Sequence, residues 1–276
     1  STILPPLVIT GSGGGGGSSY SSSFSPHSFS FSLTMVNVLI TGSNRGIGLA
    51  LVKEFLKDQR VKNVFATHRD TADIKSLNHI KDKRLKVITM DILYDDEIMK
   101  VVQQVSDIVG DDGLNVLINN AAVMYDYDLA GNCLRKLMCT QMEVNAASHV
   151  VVTQYFLPLV RRAAKNPGGR AMIINLADSL GSIELCDGAT ARNAALYRMS
   201  KAAFNMFTRA LGIDLVKEKI TMVGLTPGRT KTEIGGNKAE FSPEATAMPI
   251  VDAVLNKITV EHASLFLDRH LNPIKF

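Results

Sequence analysis

A tyrosine and a lysine four residues apart, Tyr197 and Lys201 in the run Tyr-Arg-Met-Ser-Lys, form the pair in this chain best suited to moving a proton. On a helix that spacing puts both side chains on one face. A free phenol keeps its proton up to about pH 10, so it works better as an acid or base when a neighbouring ammonium stabilises the phenolate. A second run suits a different task. Val38-Leu39-Ile40-Thr41-Gly42-Ser43-Asn44-Arg45-Gly46-Ile47-Gly48 is an apolar stretch that closes on three spaced glycines and opens into an amphipathic pattern. Gly42 allows a tight turn, Gly46 a close approach of the backbone to phosphate, and Gly48 the packing of a helix on the strand. Free N–H groups at the helix start would then face an anion.

The elements that must position these residues follow from apolar periodicity. Strands are expected over residues 36–40, 61–67, 85–90, 114–118, 171–176, 220–225 and 263–267. Between them lie helical patterns: one begins after Gly48 with Leu49, Val52, Phe55 and Leu56 inward. Another covers 95–109 with an inner stripe of Ile98, Val101, Val102, Val105 and Ile108. Further helices are expected over 134–164, interrupted around Asn145, over 194–216 with Tyr197 and Lys201, and over 250–258. The alternation predicts an α/β fold: a single-domain, Rossmann-type, doubly wound parallel sheet with helices on both faces, built from right-handed βαβ units. The residues of unusual type sit at the carboxyl ends of the strands: the glycines, Arg69, Asp91, Asn119 in Asn119-Asn120-Ala121-Ala122, Asp178 and Pro227. In an open parallel sheet that edge holds the ligand crevice, so one ligand could touch them all.

Composition narrows the classes. The chain has 276 residues, 46% hydrophobic and 20% charged, enough for one sizeable core. Its net charge of +4 is spread among interspersed acidic and basic residues, which argues against nucleic acid. Cys133, Cys139 and Cys186 form no CxxC pair and have no histidine cluster nearby, so neither a metal site nor a disulfide framework is expected, and a reducing compartment is. No apolar run reaches membrane-spanning length. Residues 1–34 hold eleven Ser and six Gly with no Asp, Glu, Lys or Arg, and read as a disordered extension or a translated leader ahead of the domain at 35–276. Within it, Thr10-Gly11-Ser12-Gly13 imitates the glycine turn, but Pro5 and Pro6 break the strand that should precede it.

Taken in order, Thr41-Gly-x-x-x-Gly-x-Gly48, Asn119-Asn-Ala-Ala122, Asn145, Tyr197-x-x-x-Lys201 and Pro227-Gly228 resemble the short-chain dehydrogenase/reductases over residues 36–276. The runs VLITGSNRGIGL, GLNVLINNAAV, YRMSKAAFNMFTRAL and TPGRTKTEIGG look most like the sniffer-type, NADPH-dependent carbonyl reductases within them. That resemblance implies hydride transfer from NADPH to an aldehyde, ketone or quinone, with Tyr197 as proton donor. Lys201 would tune the phenol and hold the nicotinamide ribose, and Asn145 would prop a water in the proton relay. It places the cofactor on Gly42, Asn44, Arg45, Gly46, Ile47 and Gly48 and on Arg69, Asp91, Ile92, Asn119 and Ala121. Tyr197, Lys201, Pro227, Gly228, Thr230 and Thr232 complete that set. It also implies a cytoplasmic protein and a homodimer packed through the 134–164 and 194–216 helices. The residues themselves favour NADP(H) over NAD: the second strand runs into Thr67-His68-Arg69 with no carboxylate before Asp70, and the guanidiniums of Arg45 and Arg69 suit a 2′-phosphate. Surface solubility is the plainer role for both arginines, a helix N-cap for Asp91 and a loop hydroxyl for Thr232. Residues 230–247, rich in Gly, Thr and Lys, form the expected substrate lid.

Two positions depart from the family pattern. Ala122 replaces a glycine, a small change. Aligned on Gly181-Ser182, the catalytic serine of the family falls on Asp178, with Ser179 beside it and facing the other way if strand geometry continues. An ionised Asp178 about 4 Å from Tyr197 would disfavour a phenolate by about 4 kcal/mol at an effective dielectric near 20. It could not donate to a carbonyl oxygen, whereas a protonated Asp178 could. Weakened, acid-favoured reductase activity is therefore expected, and the alternative is an NADP(H)-binding sensor or scaffold with little turnover.

Overall fold

Neighbouring residues along the central strands point into opposite cores, which is what a parallel sheet covered on both faces demands. In the computed structural model, Val38 and Ile40 pack in one apolar cluster with Ile118 and Ile174, while Leu39, Leu117 and Ile173 pack in the other. The structure describes residues 35–127, 131, 134–187 and 194–276. The expected extension at 1–34, Cys133 and residues 188–193 lie outside the described residues.

The strands are β1 (Val36–Ile40), β2 (Val61–His68), β3 (Leu85–Thr89), β4 (Val116–Asn119), β5 (Ala171–Leu176), β6 (Ile220–Thr226) and β7 (Phe266–Asp268). They form one parallel sheet in the order β3-β2-β1-β4-β5-β6-β7. The order reverses between β1 and β4, and that switch point opens the crevice the glycine turn anticipates. The helices are α1 (Gly46–Phe55), the short α2 (Lys75–Asn78), α3 (Asp95–Val109), α4 (Arg135–Met142), α5 (Ser148–Lys165), α6 (Ala195–Leu215) and α7 (Pro243–Asp252). Residues of α1 and α7 cover one face, and those of α3 and α5 the other, where Phe207 and Leu211 of α6 join them.

Two expectations change and one is sharpened. On α3 the buried stripe is Ile98, Val101, Val105 and Val109, and Ile108 is exposed. At about 100° per residue, position 109 falls back over position 98 whereas 108 lies about 80° away. The last helix starts at Pro243, inside the expected lid, because Ser242 caps it by accepting the Ala245 N–H at 3.1 Å and proline suits its first turn. The break expected around Asn145 is a π-helical turn, Glu143–Ala147, between α4 and α5. None of the described helices is long and apolar enough to cross a membrane.

The amino-terminal edge of the sheet is tied by asparagines. Asn37 of β1 donates through its side chain to the Gly113 carbonyl and accepts from Asn63 of β2, both at 2.9 Å. Its backbone N–H goes to Asn115 Oδ1 at 2.9 Å, and Asn115 in turn donates to the Arg170 carbonyl at 3.1 Å. Asn37 is 1% exposed, so removing its amide strands buried partners. Asn37→Ala is expected to cost about 2 to 4 kcal/mol of stability. Urea unfolding checks this; a loss below about 0.5 kcal/mol would show that water replaces the network.

Candidate active site

The glycine turn is compact because its backbone leaves no room for side chains. Gly42 has φ of 66°, and a Cβ on Gly48 would lie 2.3 Å from the Gly42 carbonyl oxygen. Asn120 braces the turn, its side-chain NH2 donating to the Thr41 and Gly42 carbonyls at 2.7 and 3.0 Å. Thr41 Oγ1 accepts the backbone N–H groups of Asn120 and Ala121 at 2.9 and 3.1 Å. The turn opens α1 on the floor of a cleft of about 1100 Å³ that runs along the carboxyl edge of the sheet.

Most of the residues expected at the site line this one cleft. Asn44, Arg45, Gly46, Ile47 and Arg69 lie at one end with Asp91 and Ile92, while Asp178, Tyr197 and Lys201 lie with them on the same cleft. Ala121, Pro227, Gly228, Thr230 and Thr232 complete the wall. Asp91 is not the cap of α3, which is Tyr94; its carboxylate instead accepts the Leu93 N–H at 3.1 Å. Arg45 pairs with Glu233 of the 230–247 segment, and a Cβ on Gly46 would meet the Thr232 methyl at 3.2 Å. That segment therefore already lies against the turn.

Asn119, like Asn145, is an exception. It is fully buried and does not line the cleft. Its side chain donates to Thr153 Oγ1 of α5 at 3.0 Å and to Asn175 Oδ1 of β5 at 2.8 Å. Asn175 passes the chain on to Thr208 Oγ1 of α6 at 2.7 Å. Asn119 thus holds helices to strands, and its neighbour Asn120 serves the turn. Asn145 has a similar bracing role: its amide exchanges two 2.8 Å bonds with the Val123 backbone and donates to Ser200 Oγ of α6 at 3.0 Å.

The chemical end is set by how closely the segment after β5 approaches α6. A Cβ on Gly181 would sit 2.7 Å from the Lys201 backbone carbon, so only glycine admits this contact. The chain leaves strand geometry after Asp178 into a 3-10 turn, Ser179–Gly181, which Asp178 caps by accepting the Leu180 N–H at 3.0 Å. The other carboxylate oxygen accepts the Tyr197 hydroxyl at 3.0 Å. Ser179 is exposed and its N–H donates to Thr226 Oγ1 at 3.3 Å, so Asp178, not Ser179, partners the tyrosine. Tyr197 is buried, and burial together with the Asp178 charge holds its phenol well above its usual pKa. Lys201 donates to the Leu176 carbonyl at 2.9 Å with its Nζ 5.8 Å from the Tyr197 ring centre. Burial lowers its pKa to about 8, against a counteracting pull from Asp178.

His149 was not singled out from sequence, since one histidine in an apolar helix carries no signal. It is wholly buried in α5, donates through Nε2 to the Ala121 carbonyl at 2.8 Å and stacks on Phe204 with ring centres 4.7 Å apart. Burial, reinforced by Lys201, lowers its pKa to about 3.

A parallel sheet whose switch point carries a glycine cradle, with a tyrosine–lysine pair on the same cleft, defines a nucleotide-dependent oxidoreductase architecture. The chain belongs to the short-chain dehydrogenase family, whose profile matches residues 36–242. It is 32% identical over 231 residues to short-chain dehydrogenase anuI of Penicillium roqueforti, covering 80% of this chain and 89% of that one. The carbonyl reductase Sniffer of D. melanogaster superposes with a TM-score of 0.81 at 30% identity, covering 88% of this chain and all of the other. The NADPH-bound carbonyl reductase from chicken fatty liver gives 0.81 at 29% identity, over 88% and 94% of the two chains. Against human 17-beta-hydroxysteroid dehydrogenase type 2, also 32% identical, the chain spans 50% of the relative's length.

Above about pH 3 the folded protein keeps His149 neutral, whereas the unfolded chain protonates it near 6.5. Between those values the unfolded state binds more protons, so stability falls on acidification by up to about 1.4 kcal/mol per pH unit. His149→Phe is expected to be less stable at pH 7, having left the Ala121 carbonyl unpaired, yet to lose less on going to pH 5. Urea midpoints at both pH values decide; an equally steep loss in the variant would refute the assignment.

Proposed function

We propose that this chain is an NADPH-dependent reductase of small carbonyl compounds, aldehydes, ketones or quinones. The observation that carries the reading is the single cleft joining the glycine cradle, Arg45 and Arg69 to Tyr197 and Lys201. The residues fit the cofactor: the glycine turn opens the N-terminus of α1 onto the cleft, and two guanidiniums lie on the cleft for a 2′-phosphate. The chicken reductase, NADPH-bound, supports the same choice. When bound, NADPH supplies hydride.

The chain's own residues do the rest. Gly42, Asn44, Gly46, Ile47 and Gly48 would face the diphosphate side with Thr230 and Thr232, Arg45 and Arg69 the 2′-phosphate, and Asp91 and Ile92 the adenine. Ala121, Pro227 and Gly228 would line the nicotinamide side. Tyr197 gives its proton to the oxygen that gains charge, and the Lys201 ammonium stabilises the phenolate left behind. Asn145 keeps α6 in register with the segment after β4 through Ser200 and Val123. Asp178 opposes this chemistry, since the proton that Tyr197 should give to substrate points at a carboxylate instead. That same bond favours a second reading, an NADP(H)-binding sensor with little turnover.

Tyr197→Phe is expected to abolish NADPH oxidation with carbonyl substrates while leaving NADPH binding within about threefold; a rate unchanged by it eliminates the mechanism. Asp178→Ser removes the competing acceptor and is expected to raise carbonyl turnover at pH 7 by about tenfold or more. The parent rate should fall as pH rises through about 8, where Lys201 loses the charge that supports the phenolate. No gain from the serine at neutral pH, with the parent also inactive at pH 6, would leave the sensor reading standing.

A further inference from the structure

Both oxygens of Asp178 act as acceptors, one from Tyr197 Oη and one from Leu180 N, each at 3.0 Å. Acceptance at both oxygens is the pattern of a carboxylate. The Lys201 ammonium does not neutralise it by direct pairing, because it is held on the Leu176 carbonyl. Among the described residues no cation lies within ion-pair distance of Asp178. A substrate whose reacting heteroatom reaches Tyr197 therefore meets an anionic acceptor at the same place.

The two kinds of double bond that accept hydride differ at this point. A carbonyl oxygen offers only lone pairs and gathers negative charge during reduction, so Asp178 gives it no donor and repels the charge. The nitrogen of a protonated imine carries positive charge before hydride arrives, and where it bears hydrogen it also offers an N–H donor. Val123, Met124, Leu180 and Ile234 line the same cleft and suit an apolar body behind that charge.

We propose that the cleft, on the NADPH-reductase reading above, takes cationic C=N substrates, iminium ions on an apolar frame, in preference to neutral carbonyls, with Asp178 as their counter-ion. Atoms and electrons balance without a proton from the enzyme in the reducing step. The iminium carbon receives hydride from the reduced nicotinamide and a C–H bond forms. The π pair of C=N becomes the nitrogen lone pair, so the cation becomes a neutral amine while the nicotinamide is oxidised. A neutral imine reaches the same state by taking a proton first, which the carboxylate favours electrostatically and Tyr197 can relay. This selectivity rests on a site complementary to one substrate and hostile to the other.

The test uses the full chain. NADPH binding is measured first, by enhancement of nicotinamide fluorescence. Then kcat/KM is compared for N-methyl-3,4-dihydroisoquinolinium, permanently cationic, and 1-tetralone, its neutral bicyclic counterpart. The parent is expected to favour the iminium at least tenfold. Asp178→Asn, equal in size but uncharged, should lose that preference, and Asp178→Ser should turn it toward the ketone. Calorimetric binding of N-methyl-tetrahydroisoquinoline, a cation at neutral pH, to the protein with NADP+ should weaken at least tenfold in Asp178→Asn. NADPH binding with no iminium preference in the parent, or with preference and amine affinity unchanged in Asp178→Asn, overturns this proposal and leaves the carbonyl reading intact. Absence of NADPH binding overturns both.

Discussion

The hydrogen bond from Asn119 to Asn175, 2.8 Å long and fully buried, is the constraint on which the site depends. It links the carboxyl ends of β4 and β5. Each partner then reaches a helix, Asn119 to Thr153 of α5 and Asn175 to Thr208 of α6. In a low-dielectric interior such a chain is costly to break, because each amide would be left without a partner. The consequence is positional. With α6 pinned to β5 by Thr208, the turn after β5 can press Gly181 against the Lys201 backbone, and Asp178 arrives at the Tyr197 hydroxyl. Sheet and helix are thus joined beside Tyr197 and Lys201, and the Asp178 carboxylate lies 3.0 Å from the phenol oxygen.

That charge alters what burial alone would do. Burial pushes the Tyr197 phenol up and the Lys201 ammonium down, both towards neutrality. Asp178 adds to the first effect and opposes the second. It therefore makes the tyrosine a more reluctant acid while helping the lysine keep its proton. In the proposed mechanism the two roles of the pair are thus set against each other by one residue.

Much of this architecture was legible in the sequence because it follows from periodicity. Short β-branched runs and helical stripes delimit most strands and helices, and spaced glycines locate the switch point. The errors have physical causes. The start of α7 was hidden in a segment judged by its glycines and lysines, although Ser242-Pro243 is a helix-start signal. Its place at a strand end points Asn119 towards the crevice, but on a strand alternate residues point to opposite faces, and the cleft side falls to Asn120. Thr153, Asn175, Thr208 and His149 carried no local signal, since their partners lie in distant parts of the chain.

The two ends of the cleft obey opposite electrostatic rules, and this separates binding from chemistry. At the cradle end, Arg45 and Arg69 and the N-terminus of α1 favour an anion. Glu233 occupies Arg45, with both side chains at least half exposed. Solvent screens that pair, so a phosphate able to take two guanidinium hydrogen bonds can displace the carboxylate at little cost. At the reacting end, the carboxylate of Asp178 is fixed by a backbone N–H and a buried phenol and cannot swing away without losing both. The first carboxylate is a replaceable occupant of a cation site, whereas the second is built into the frame. The phosphate end is therefore adjustable through the 230–247 segment, while on the proposed reading selection at the reacting atom is set by the turn after β5.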